Sequence, residues 1–253
     1  MTFTLQNVLI PVEDDHATVD VQIKDGNIAQ VSSGLDIVGE AIDGTNKLLL
    51  PGFVNAHTHS SEMWQRGIMS IYPLELWLAE LDDFAPLDSE RVYLSALGTA
   101  VETLLSGGTC VVDHLVLIPG KELETITVAV EAYRKVGIRA VIAPLIQDES
   151  ITRGMPSGES EVTHEDYFRS TQATLEIMES AINQFHKPED GIYFALAPTG
   201  IQLCSDALFK GCIELSDKYN LCRHSHLLET KAQEKLAKEK YGCTAVEHLH
   251  KIG

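Results

Sequence analysis

Beyond residue 48 the sequence alternates short apolar strands with amphipathic helices, and this alternation restricts the fold more than any other feature of the chain. Tyr93, Leu97, Val101 and Leu104 recur at helical spacing, with Asp88 as a candidate N-cap and Gly107-Gly108 as a stop. A short strand over 109–115 follows. The unit repeats with a helix over 122–136 that stops at Gly137 and a strand over 138–146. Two more rounds follow: a helix over 165–185 with a strand over 192–197, then a helix over 205–219 with a strand over 221–227. Strands separated by helices pair in parallel through right-handed crossovers, which leaves a barrel or an open doubly wound sheet. The order alone does not choose between them. Two features favour the barrel: no glycine-rich phosphate loop follows the first strand, and the polar candidates sit at strand C-terminal ends. A long polar loop over 147–164 reads equally as a site cover or as a mobile insertion.

The first fifty residues carry a different pattern. Strands are expected over 4–10, 19–23 and 28–31, the last two joined by an Asp25-Gly26 turn, which makes a small β module. Asp43-Gly44-Thr45-Asn46 then turns the chain into the apolar run from Leu48 to Val54, which leads directly into Asn55-Ala-His-Thr-His59.

Composition narrows the partner. With 253 residues and 44% hydrophobic content the chain can bury a sizeable core. A net charge of -18 repels nucleic acid and anionic membranes, and no basic patch interrupts it, so a small-molecule partner is expected. No apolar stretch approaches a membrane span, and the N-terminus lacks the basic flank of a signal peptide. The five cysteines are scattered without a CxxC pair, so neither a disulfide framework nor a thiolate zinc site is expected, and the location expected is cytoplasmic.

His57 and His59 are two residues apart on an expected strand, so their imidazoles project from one side and can share a cation. An HxH pair is also common as a hydrogen-bonded pair; its position at the end of an apolar strand favours metal. The second cluster is Arg223-His-Ser-His-Leu-Leu-Glu-Thr230, at the end of the fifth strand. There His224 and His226 share a face, and Glu229 lies just past the strand end, where it is either a proton carrier or the solvated start of a helix over 231–240. His114, at the end of the second strand, faces a substrate or is a hydrogen-bonded wall residue. Glu62 and Trp64, just after the histidine pair, contact a substrate or belong to a surface loop. His248 and His250 fall on an expected helix, on different faces, and are not counted as ligands.

Pro51-Gly-Phe-Val-Asn-Ala-His-Thr-His59, with Arg66-Gly67 downstream, resembles the first-strand signature of the amidohydrolase superfamily. Its likeness is to the mononuclear metal branch of guanine, cytosine and adenosylhomocysteine deaminases and triazine hydrolases, and His224-Ser-His-Leu-Leu-Glu-Thr230 resembles that branch's fifth-strand motif. The resemblance implies an α/β fold: an incomplete TIM (β/α)8 barrel of about five β/α units over 51–253, truncated before strand six, with an N-terminal β-sandwich segment over 1–50. It implies that His57, His59 and His226 bind metal, that His224 is a structural neighbour, and that Glu229 shuttles a proton. Glu62, Trp64 and His114 would contact substrate. Strand 192–197 offers no lysine or glutamate to bridge two metals, so one divalent ion is expected, zinc or iron. The implied activity is hydrolysis of a non-peptide carbon–nitrogen bond, deaminating a purine, pyrimidine or triazine by metal-activated water. In the family a further histidine comes from strand six and an aspartate from strand eight, and Gly253 precedes both. A non-catalytic remnant or fragment, or a chlorohydrolase-type activity in a full-length protein, are the alternatives. A homo-oligomer is compatible with this reading.

Overall fold

The computed structural model describes residues 1–12, 15–67, 72–75, 77–78, 87–150 and 169–253, in two compact units, Met1–Gly52 and Phe53–Gly253. In the first unit, β1 (Phe3–Val12), β2 (Asp15–Lys24) and β3 (Asn27–Ser32) pair antiparallel, and β4 (Glu40–Asp43) adds in parallel to β1. The order is β3-β2-β1-β4, a single sheet among the described residues. Asp25 and Gly26 both take positive φ, 50° and 79°, the backbone a tight two-residue hairpin needs.

In the second unit six parallel strands build one sheet: β5 (Phe53–Thr58), β6 (Gly108–Asp113), β7 (Arg139–Ile142), β8 (Leu145–Ile146), β9 (Ile192–Pro198) and β10 (Cys222–Arg223). The path runs β5-β6-β7-β9-β10 with β8 also on β9, so spatial order follows chain order without the reversal of a doubly wound sheet. β5 and β10 are its end strands.

Two expected strands are shorter than their apolar runs. The run over 138–146 breaks at Ala143-Pro144, because proline has no N–H to give the ladder; Ala143 N–H bonds Asp113 O at 2.9 Å and the pairing resumes at Leu145. The run over 221–227 keeps only Cys222–Arg223. Beyond it His224 N–H bonds Leu196 O and His226 N–H bonds Thr199 O, so two residues on one side span three on the other and the regular register is lost.

The helices are α1 (Ser89–Leu105), α2 (Glu122–Val136), α3 (Thr171–Phe185), α4 (Asp206–Tyr219), α5 (Lys231–Tyr241) and α6 (Ala245–Ile252). Their ends follow local chemistry. Asp88, Ser170, Ser205, Thr230 and Thr244 each cap a helix by accepting a backbone N–H, and Gly137 ends α2 at φ 80°. Residues 151–168 lie outside the described set, and with them most of the expected polar loop and the first turn expected for α3.

Buried alanines on the helices (Ala96, Ala100, Ala129, Ala181) let them sit close to the strand residues Val111, Ala140, Ile142, Ile192 and Leu196. On α1 the residues at apolar spacing are not the most buried ones, although Tyr93 and Leu97 pack partly buried against the core. Val92, Ser95, Ala96, Thr99, Ala100 and Thr103 are buried, whereas Val101 and Leu104 are 43% and 41% exposed. Among the described residues no helix is long and apolar enough to cross a membrane.

Candidate metal centre

The strand ends bring four histidines together. Ligand atoms of His57, His59, His114 and His226 all lie within 4.8 Å of one another. His57 and His59 come from the end of β5, His114 directly follows β6, and His226 lies three residues past β10. His59 is fixed from behind. It caps a 3-10 helix, Ser60–Gln65, whose first residue is clasped by the fully buried Asp113: Ser60 N–H and Oγ–H donate to its two carboxylate oxygens at 2.9 and 2.7 Å, and Tyr133 O–H donates at 2.8 Å. Burial pushes Asp113 above the usual carboxylate range, against the pull of these three donors.

The backbone decides the histidine tautomers. His59 Nδ1 lies 2.7 Å from His114 O, and His226 Nδ1 lies 2.9 Å from Thr199 O. A carbonyl only accepts, so both Nδ1 atoms carry the proton and both Nε2 atoms present bare lone pairs. Those two Nε2 atoms face each other at 3.1 Å. Two acceptors at that distance repel unless a proton or a metal ion stands between their lone pairs, an arrangement that suits a metal site. His114 repeats the arrangement in mirror form: Nε2 donates to Ala197 O at 3.3 Å, and Nδ1 is buried with no hydrogen-bond partner. His57 Nδ1 meets His224 Nε2 at 2.8 Å, which leaves His57 Nε2 free.

The surroundings of His57, His114 and His224 disfavour their charged forms. Burial first, then the His59, His226 and His224 imidazoles, depress His57 to about 4, with the Glu229 charge acting the other way. Burial and the same neighbours take His114 down to about 2, and burial also lowers His224. Neutral imidazoles at physiological pH have lone pairs available without releasing protons. An all-imidazole donor set suits a transition metal rather than magnesium or calcium.

The other expected residues are placed less uniformly. Glu229 stands just after Leu228, whose φ of 57° turns the chain, and its carboxylate accepts from Gln233 Nε2 at 3.2 Å. Glu62 is half-buried and lines a cleft of about 500 Å³ with His59, Met63, Arg66 and Trp77. Burial raises Glu62 to about 7, assisted by Asp113 and Glu229 and opposed by His226. Trp64 does not line this cleft; its indole N–H donates to Arg91 O at 3.2 Å and the ring is 48% exposed. His248 is remote from the cluster, paired with Asp206 at 2.7 Å. Sequence reasoning missed the Asp113 clasp, although an acidic residue closing the apolar strand Cys110-Val-Val-Asp113 was a visible signal.

The sequence model of the amidohydrolase family matches residues 48–253. This chain belongs to the amidohydrolase family. Across 98% of its length it is 33% identical to a 5-methylthioadenosine/S-adenosylhomocysteine deaminase of Aquifex aeolicus, covering 53% of that protein. It is 34% identical, across 92% of its length, to a 5'-deoxyadenosine deaminase of Methanothermobacter thermautotrophicus, covering 50% of it. The chain thus spans about half the length of the curated family members it matches. Among solved structures, a variant of atrazine chlorohydrolase from Arthrobacter aurescens complexed with zinc and atraton superimposes with a TM-score of 0.86 at 23% identity, over 99% of this chain and 58% of that one. Guanine deaminase from C. acetobutylicum, with bound guanine, gives 0.74 at 20% identity, over 100% and 60%. At these identities the structural likeness speaks for the fold alone.

Proposed function

We propose that this chain carries the metal-binding part of a hydrolase that removes the amino group from an aminoheterocycle, with an amino-substituted purine as the first substrate class to test. The observation that carries the reading is the pair of bare Nε2 lone pairs of His59 and His226 at 3.1 Å, each oriented by a backbone carbonyl behind it. In this reading His57, His59 and His226 hold one divalent ion, and zinc is the ion of choice for neutral imidazoles. Bound there, the ion supplies a Lewis acid that activates water for attack on an electron-poor ring carbon. Glu229 moves a proton to the leaving nitrogen, and its hydrogen bond with Gln233 limits where the carboxylate can swing. Glu62 lines the cleft beside His59 and offers the substrate a polar contact there. Trp64 contributes to binding only by bracing the 3-10 helix against α1.

The same reading takes the parallel sheet as about five units of a (β/α)8 barrel and the first unit as one layer of a β-sandwich segment. It divides the chain at 50/51, between the four-stranded sheet of β1 to β4 and the strands that begin with β5. A cytoplasmic setting belongs with it, as do a small heterocyclic partner rather than nucleic acid or membrane, and freedom to self-associate. The names of the relatives support the substrate class: they are deaminases of adenosine derivatives.

Zinc titration tests the metal assignment. The 253-residue chain should bind one equivalent, and His59→Ala and His226→Ala should each weaken binding by about 10²-fold or more. Ammonia release from 5'-deoxyadenosine by a completed enzyme tests the activity, with Glu229→Gln lowering turnover by about 10²-fold at unchanged zinc content. Unaltered zinc affinity in both histidine variants sinks the reading.

A further inference from the structure

We propose that Glu75 is a positioning residue for Glu229: through the Thr230 hydroxyl it anchors the turn that carries the Glu229 carboxylate. This rests on the reading of Glu229 as the proton carrier and adds what holds it in place. Glu229 needs a support, because it is exposed and follows Leu228, whose φ of 57° is costly for a bulky side chain. A strained turn that ends in a solvated side chain keeps one geometry only where its neighbours impose it.

The restraints run in series from Glu229 to Glu75. Gln233, 5% exposed, grips Glu229 twice: its Oε1 accepts the Glu229 N–H at 3.0 Å and its Nε2 donates to the carboxylate at 3.2 Å. The Gln233 N–H donates in turn to Thr230 Oγ1, the N-cap of α5, at 3.3 Å. A hydroxyl has one proton, and Thr230 gives it to Glu75 Oε1 at 2.5 Å, the short end of the O–H···O range. Aiming that proton at Glu75 turns the oxygen's lone pairs towards the helix, where the cap needs them. The anchor reaches across the sheet. Glu75 lies in the segment after β5 and Thr230 in the segment after β10, 155 residues apart, and these are the two end strands. A turn closed by Trp77 N–H on Pro73 O at 3.0 Å encloses Glu75 on its own side. A cap by itself uses only the lone pair. The proton is left for a partner that the helix does not supply, and here that partner comes from the far end of the sheet.

Two measurements test this. In the 253-residue chain, residue-resolved hydrogen exchange reads the clasp itself. Glu75→Ala should speed exchange of the Glu229 and Gln233 amides about tenfold and leave the middle of α4 unchanged. Glu75→Gln, which keeps an acceptor for the Thr230 hydroxyl, should exchange as the wild type does. Unchanged Glu229 and Gln233 amides in Glu75→Ala, or equal acceleration in α4, overturn the proposal. A completed enzyme reads the consequence. Glu75→Ala should lower kcat about tenfold at unchanged KM and zinc content, and should add nothing to Glu229→Gln, which has no proton carrier left to position. The same loss on both backgrounds marks a general structural defect and overturns the proposal. If Glu229→Gln alone leaves turnover unchanged, the proton-carrier reading has failed, and with it goes any part for Glu75 in the reaction, whatever the exchange rates show.

Discussion

Asp113 and Asp148 perform the same local chemistry at two places along one sheet. Asp113 ends β6 and takes Ser60 N–H and Oγ–H on its two oxygens; Asp148, two residues past β8, takes Ser205 N–H at 2.8 Å and Ser205 Oγ–H at 2.6 Å in the same way. Each has a third donor, Tyr133 O–H for one and Thr171 Oγ1–H for the other. The consequences differ because of what adjoins each serine. Ser60 follows His59, so its clasp fixes a ligand; Ser205 caps α4, so its clasp fixes the start of a helix. Burial differs as well, with Asp113 sealed and Asp148 half-buried. A carboxylate–serine clasp is a general way to stop a chain at a strand end, and its neighbour in sequence makes it functional.

The largest expected effect separates the two aspartates. Asp113→Ala leaves a buried N–H and two hydroxyls without an acceptor and should cost about 3 kcal/mol or more, with zinc affinity falling alongside. Asp148→Ala should cost about 2 kcal/mol in its wetter setting and leave zinc affinity unchanged. Urea unfolding in chelator, together with zinc titration, measures both. Equal zinc loss in the two variants would break the comparison.

Acid should act on the histidine side only. His57 binds a proton more weakly folded, at about 4, than at the ordinary value of 6.5. Its neutral ring therefore contributes stability above 6.5, and that contribution is lost as pH falls towards about 4. The urea midpoint of the metal-free protein should drop across this window; His57→Ala should lessen the drop, the remainder belonging to His114 and His224, and Asp148→Ala should not change it. A midpoint independent of pH would show that the rings are not clustered without metal.

The smallest effects sharpen the contrast at the serines. Ser205→Ala should cost about 1 kcal/mol as a lost N-cap, with no change in zinc binding. Ser60→Ala should be similarly mild in stability, yet weaken zinc by about tenfold through His59. Melting temperatures and chelator competition on the pair give the answer; identical zinc affinities would reduce the Ser60 clasp to a structural detail.

Several parts of this molecule were legible from residues alone because their causes are local. Alternating periodicity announced parallel strands and helices, Asp88 and Gly137 marked helix ends, and the spacing of His57 and His59 put two imidazoles on one side. His226 was marked out by the resemblance of His224-Ser-His-Leu-Leu-Glu-Thr230 to a family motif and not by a local cause. Tertiary structure decided the rest. Which nitrogen of each ring keeps its lone pair depends on carbonyls and rings 55 residues away for His59 and 167 away for His57, and no local pattern carries that information. The membership of His114 in the cluster, the more buried strip of α1 and the loss of register after Arg223 arise in the same way. Periodicity states that a side chain has a face, but only the packed neighbours determine what that face meets, and lone-pair direction, burial and tautomer are properties of the meeting.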